Sequence, residues 1–165
     1  VTKSIVYGPN GTAVDGVTAV TFDVAPLNFD ADFLSIDEGT GKNVMTDITS
    51  PLDQPSTLRI QRRAVANVYS GTSIDPGAYL ATKRGTDLLV EVREVYTELD
   101  SEDSTYLKAF PFRLAVTATY PEASQVTTAM VERALARVVA AFAAMGDDDL
   151  TAGIDALLHN VVKKQ

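Results

Sequence analysis

A chain of 165 residues and 17.6 kDa suits a single domain, and 45% hydrophobic against 22% charged residues is a globular mixture, not a disordered or collagen-like one. Zero cysteines exclude disulfides, thiolate nucleophiles and thiolate-held metals, and no apolar run reaches the roughly 18 to 20 residues of a membrane-spanning helix. The net charge of −8 by itself argues against nucleic acid, but the charge is uneven: residues 1–55 hold eight acids and two bases, 56–113 eight of each, and 114–165 six acids and four bases.

In chain order, residues 4–7 read as a strand and Gly8-Pro9-Asn10-Gly11 as a turn, since Gly and Asn tolerate positive φ and Pro fixes its own. Residues 17–24, rich in β-branched side chains, complete an amino-terminal hairpin that Pro26 ends. Residues 30–36 read as a short strand, and 37–55, rich in Gly, Asp, Ser, Thr and Pro, as a long surface loop.

Three longer β segments follow. In 56–69, Leu58, Ile60, Ala64, Ala66 and Val68 alternate with Arg59, Gln61, Arg63 and Asn67; Arg62 and Val65 break the pattern. Residues 71–77 form a turn-rich break around Asp75-Pro76-Gly77. In 79–98, with an interruption at Gly85, Leu88, Val90 and Val92 oppose Leu89, Glu91 and Arg93. After an acidic loop, 105–120 sets Phe110, Phe112, Leu114 and Val116 against Pro111, Arg113, Ala115 and Thr117. One apolar and one polar or basic face on each segment is the pattern of an antiparallel sheet covered on one side.

The last third reads as helical. Pro121 and Glu122 suit a first turn, and Val131, Leu135, Val138, Phe142 and Met145 recur on one helix face up to a stop at Gly146. Asp147 to Asp149 then cap a second helix with the stripe Leu150, Ile154, Leu157, Leu158 and Val161, ending near Lys163-Lys164. The only histidine, His159, falls at the end of that helix and reads as a helix-end polar residue rather than a catalytic base. No phosphate-cradling Gly-Lys-Ser/Thr loop or Gly-x-Gly-x-x-Gly occurs, so the chain does not read as an enzyme, and no metal site is called for.

The fold expected is α+β: one domain over 1–165, with a hairpin (1–26), an antiparallel sheet of about five strands (27–120) and two carboxy-terminal helices (121–165). Its two consecutive helices are little cover for one wide apolar sheet face. A first helix of about 24 residues, about 36 Å long, would overhang a small sheet. A symmetric partner resolves this: two sheets join edge to edge and each chain's helices cross onto the other, giving an interlocked dimer. Val131, Leu135, Val138, Phe142, Ile154 and Leu158 are the expected dimer contacts.

In this order of elements the chain resembles the coat proteins of single-stranded RNA bacteriophages, the leviviruses. Val24-Ala25-Pro26-Leu27-Asn28-Phe29 is similar to the hairpin-to-sheet junction of some members. Ala115-Val116-Thr117-Ala118-Thr119-Tyr120, leading towards Glu132 and Ala134-Leu135, is similar to the last strand and first helix of others. The resemblance spans nearly the whole chain, with 37–55 and 69–78 as expanded loops. It implies dimers that build an icosahedral shell in the virion, assembled in the bacterial cytoplasm, with helices outward and the sheet inward. The partners implied are further copies of the chain, single-stranded genomic RNA and the phage maturation protein; an RNA hairpin near the replicase start is bound in the family, repressing translation. RNA-contacting positions carried over to this sequence are Arg59, Gln61, Arg63, Asn67, Glu91, Arg93 and Arg113, the polar face already read from alternation. Lys108 joins them only if its strand starts after it, because alternation puts it on the Phe110 side. Leu89 and Glu91 stand where the family carries polar or basic residues.

In the family the loop before the last strand gathers around symmetry axes. Here that loop carries Glu98, Asp100, Glu102 and Asp103 with no base, making it a candidate contact between dimers and a candidate oxygen site for Ca²⁺. A tail or pilus-like structural subunit without RNA binding is the alternative reading, against which the basic sheet face stands.

Overall fold

The computed structural model describes residues 3–4, 19–143 and 147–159. The expected strand at 4–7 and turn at 8–11, together with Met145, Gly146, Val161 and Lys163-Lys164, lie largely or wholly outside these. Residues 19–24, the described part of the second hairpin strand, have no strand structure.

Residues 26–126 form one unit, built on a five-stranded antiparallel sheet whose spatial order follows the sequence. A single helical turn, α1 (Phe29–Asp32), leads in, with Asn28 Oδ1 accepting from the Ala31 amide. It replaces the start of the strand expected at 30–36, because an Asn cap followed by Asp30 and Asp32 favours a helix start. Strands β1 (Phe33–Gly39) and β2 (Lys42–Asp47) follow as a hairpin, correcting the reading of 37–55 as a loop; only 48–56 connects to the next strand. Gly41 has φ of 71°, and a Cβ there would stand 2.8 Å from the Arg62 carbonyl, so the turn needs glycine both for its conformation and for the approach of the neighbouring strand.

Strand β3 (Thr57–Val65) is shorter than the segment 56–69, while β4 (Gly85–Leu99) and β5 (Leu107–Pro121) each run 15 residues. The β3–β4 connection closes on itself: Tyr69 and Tyr79 stack with ring centroids 4.0 Å apart, and the Leu80 amide donates to the Tyr69 hydroxyl. Gly85 opens β4 where a Cβ would collide with Val68 and the Tyr120 carbonyl. Arg62, the basic residue on the apolar side, sits at this end of the sheet, donating to the Thr86 hydroxyl and pairing with Glu122 at 3.4 Å.

The other unit comprises residues up to 25 and from 127 onward. Helix α2 (Thr128–Ala140) has 13 residues, so it is about 20 Å long and not the 36 Å expected. It starts late because Pro121 is not a first helical residue: it ends β5 opposite Gly85, and 123–126 are turns. A proline also holds the residue before it extended. Phe142 lies in the turn beyond the helix. Helix α3 (Thr151–Leu158) has Leu150 at its N-cap position, where Asp was expected; Asp149, just before it, accepts from the Thr151 amide through Oδ1 at 2.8 Å. His159 terminates it, with Nδ1 2.9 Å from the Asp155 carbonyl oxygen. No helix among the described residues is long and apolar enough to cross a membrane.

Candidate nucleic-acid interface

Directly opposed residues of an antiparallel pair project to the same face, so the register sorts the side chains. Across β3, β4 and β5 the rows on one face are Arg63–Asp87–Thr119, Gln61–Leu89–Thr117, Arg59–Glu91–Ala115 and Thr57–Arg93–Arg113. Strand β2 adds Lys42 opposite Gln61 and Val44 opposite Arg59. The other face carries Leu58, Ile60, Leu88, Val90, Val92, Phe110, Phe112 and Leu114. Rows recur every two residues, about 6.8 Å along a strand.

Glu91 is the hub of the polar face. Its side chain is only 4% exposed, whereas those of Arg93 and Arg113 are 60% and 58% exposed. Oε1 accepts from Arg93 Nε at 2.8 Å, and Oε2 accepts from Arg113 Nε at 2.6 Å while also pairing with Arg113 Nη2. The hydrogen bond from Arg93, joined by that from Arg113, outweighs burial and holds the carboxyl below its ordinary range. One carboxylate thus orients two guanidinium groups and leaves a net positive charge facing solvent.

The neighbouring rows are ordered similarly. Arg63 Nη2 lies 2.7 Å from Asp87 Oδ2, and Asp87 Oδ1 accepts from the Thr119 hydroxyl at 3.0 Å. Arg59 Nη2 donates to Gln61 Oε1, while Arg59 Nε is buried with no hydrogen-bond partner among the described residues. Forked, charged donors displayed on one surface match phosphate oxygens.

Two of the carried-over positions stand elsewhere. Asn67 lies past the end of β3, where its Oδ1 accepts from the Tyr69 amide at 3.0 Å and shapes the connection. Lys108 is opposite Glu98 on the apolar face, because β5 begins at Leu107 and the alternation continues through it; its ammonium is 5.8 Å from the Tyr106 ring centroid. Lys42 was hidden from sequence reading by the assignment of its strand to a loop; the Gly39-Thr40-Gly41 turn was the available signal. Its ammonium pairs with Asp37.

The expected dimer contacts Val131, Leu135, Val138, Ile154 and Leu158 on the helices, and Phe142 in the turn after α2, are all exposed in the single chain. Glu98, expected in the loop, instead lies in β4 because the strand pairing continues to Leu99, and it accepts from the Tyr106 hydroxyl; in the β4–β5 loop, Asp100 accepts from the Glu102 amide, and Asp103 Oδ1 from both the hydroxyl and the amide of Thr105. The Thr105 hydroxyl, with its amide, lowers the Asp103 pKa. Asp100 and Asp103 shape turns, and among the described residues no group of three or more His, Asp or Glu is arranged to hold a metal ion.

No protein-family model matches the chain, and neither does any curated protein sequence. Among solved structures, the virus-like particle of bacteriophage AVE015 aligns with a TM-score of 0.76 and 25% identity over 85% of this chain and 83% of that one. The virus-like particle of bacteriophage GQ-112 shares the fold at a TM-score of 0.72 and 11% identity, covering 96% and 95% of the two chains. With five antiparallel strands followed by helices, aligned with a particle-forming phage protein over most of both chains, this protein is a levivirus-type coat protein, a structural capsid component of the virion and not an enzyme.

Proposed function

We propose that this coat protein forms interlocked two-fold dimers, that the dimers close into an icosahedral shell, and that the shell holds single-stranded genomic RNA on the polar sheet face. The RNA reading is carried by one observation: Arg59, Arg63, Arg93 and Arg113 share that face, two of them steered by the buried Glu91. The dimer reading is supported by the opposite face, where Phe112 is 56% and Leu114 66% exposed, and by the exposed stripe on α2. Edge strand β5, paired only with β4 among the described residues, joins its two-fold copy and so hides a long row of unpaired backbone groups. Assembly in the bacterial cytoplasm, contact with the maturation protein and repression of replicase translation through an RNA hairpin belong to the same reading.

The test is the double substitution Arg59→Ala with Arg63→Ala. It is expected to lower the RNA content of purified particles and to reduce the slope of log K against log salt by about 1.4, roughly 0.7 per single-strand phosphate contact. Unchanged RNA content and slope would remove this face as the binding surface.

A further inference from the structure

We infer that β5 pairs with the β5 of a second copy in one register, with the two-fold axis beside Val116. The inference rests on the proposed edge-to-edge dimer and adds the alignment that joins its two sheets. In an antiparallel ladder, successive residues turn their backbone groups alternately to one neighbour and to the other. The Glu122 amide donates to the Arg84 carbonyl at 3.0 Å, directly beyond the Gly85–Pro121 pair, so the even-numbered residues of β5 face β4 and the odd-numbered ones face the open edge. The register with β4 runs unshifted from Leu107 to Pro121, so this assignment holds along the whole strand. Both prolines of the strand, Pro111 and Pro121, therefore fall on the open edge, where each leaves a gap in the row of N–H donors. Between the gaps stand four donors, on Arg113, Ala115, Thr117 and Thr119.

The gaps choose the register. Directly opposed residues share a face, so the axis lies beside a residue and not between two. With the axis at Val116, Arg113 opposes the partner's Thr119 and Ala115 opposes the partner's Thr117. Each of the four donors then meets a carbonyl whose own residue donates in return, and Pro111 stands against the partner's Pro121. An axis at Ala115 sets Pro111 against the partner's Thr119, and one at Thr117 sets Arg113 against the partner's Pro121. In each, a carbonyl inside the ladder loses its donor, twice over by symmetry. Shifting the axis to Leu114 or Ala118 again sets a proline against a residue that needs a donor. The apolar face fits the same alignment: Phe112, 56% exposed in the single chain, meets the partner's Tyr120, and Leu114, 66% exposed, meets the small side chain of the partner's Ala118.

The chain has no cysteine, so introduced thiols report the register without background. Purified full-length protein carrying Leu114→Cys, Ala115→Cys, Val116→Cys, Thr117→Cys or Ala118→Cys is mildly oxidised and run on denaturing gels without reductant. Val116→Cys is expected to form the covalent dimer about tenfold or more faster than the other four, because Ala115 and Thr117 stand about 8 Å, and Leu114 and Ala118 about 14 Å, from their own copies, beyond the roughly 7 Å that a disulfide spans between Cα atoms. Leu114→Cys and Ala118→Cys combined in one chain should cross-link although neither does alone, and this pair decides the register if Val116→Cys does not fold. Fastest linkage at any other single position overturns the register and leaves the edge-to-edge dimer standing. No linkage in any variant, the combined one included, overturns that dimer and the register with it.

Discussion

At the scale of single residues, Glu91 is where charge and burial meet. Its depressed pKa, held down first by the Arg93 hydrogen bond, means that the folded state binds its proton less readily than the unfolded chain does. The stabilisation is therefore fully present above the ordinary carboxylate pKa and is lost as pH falls through the lowered folded value. Glu91→Gln is expected to lower the denaturation midpoint at neutral pH and to flatten its decline across that acidic window; parallel curves for the two proteins would contradict this. Gly85 gives a steric counterpart. A Cβ there meets Val68 and comes within 2.5 Å of the Tyr120 carbonyl, at the point where β4 begins beside Pro121. Gly85→Ala should cost about 1–3 kcal/mol in chemical denaturation, the range for overpacking; a loss below a few tenths would show that the sheet end yields.

At the scale of elements, the helix stripe makes the sharpest demand. Leu135 is 50% exposed in the single chain, on the same side of α2 as Val131 and Val138. Leu135→Asp would put a charge into the proposed dimer contact, a cost on the order of several kcal/mol. Sedimentation should show it as unassembled or unfolded; normal particles would exclude this stripe from the interface. What was readable beforehand follows from pattern strength. Strands β3, β4 and β5 alternate over many residues, so the shared face of Arg59, Arg63, Arg93 and Arg113 is legible from spacing and agrees with the register. Strand β2 carries Lys42, Asn43, Thr46 and Asp47 around two apolar residues, and is held by pairing with its neighbours more than by its own alternation. Pro121 misled in the other direction, because proline suits a strand end as well as a first helical turn. The Glu91 hub was not legible: alternation placed three side chains on one face, but only cross-strand register shows that one carboxylate reaches both arginines.

At the scale of the whole molecule, association should be part of folding. The buried apolar side chains among the described residues are Met45, Leu58 and Leu150, whereas Phe110, Phe112, Leu114, Leu135 and Val138 are exposed in the single chain. When subunits complete one another's cores, stability depends on protomer concentration. Thermal unfolding of particle-free protein is thus expected to shift to higher temperature as concentration is raised a hundredfold. A midpoint independent of concentration would mean that the chain is stable alone and would remove the interlocked architecture.

The unequal lengths of the strands have a mechanical consequence. Strand β3 ends its pairing with β4 at Arg93, while β4 and β5 continue paired to each other out to Leu99 and Leu107. The sheet is therefore a stiff plate from which a two-stranded arm projects, and two-stranded ribbons twist more and resist deformation less than wider sheets. Bending concentrates at the root of the arm, where Glu91, Arg93 and Arg113 lie. Ion pairs at such a root re-form after a change of angle more readily than an interdigitated apolar core repacks. In the proposed shell, one chain then presents its arm at several inclinations with the plate unchanged, as neighbours in differing surroundings require.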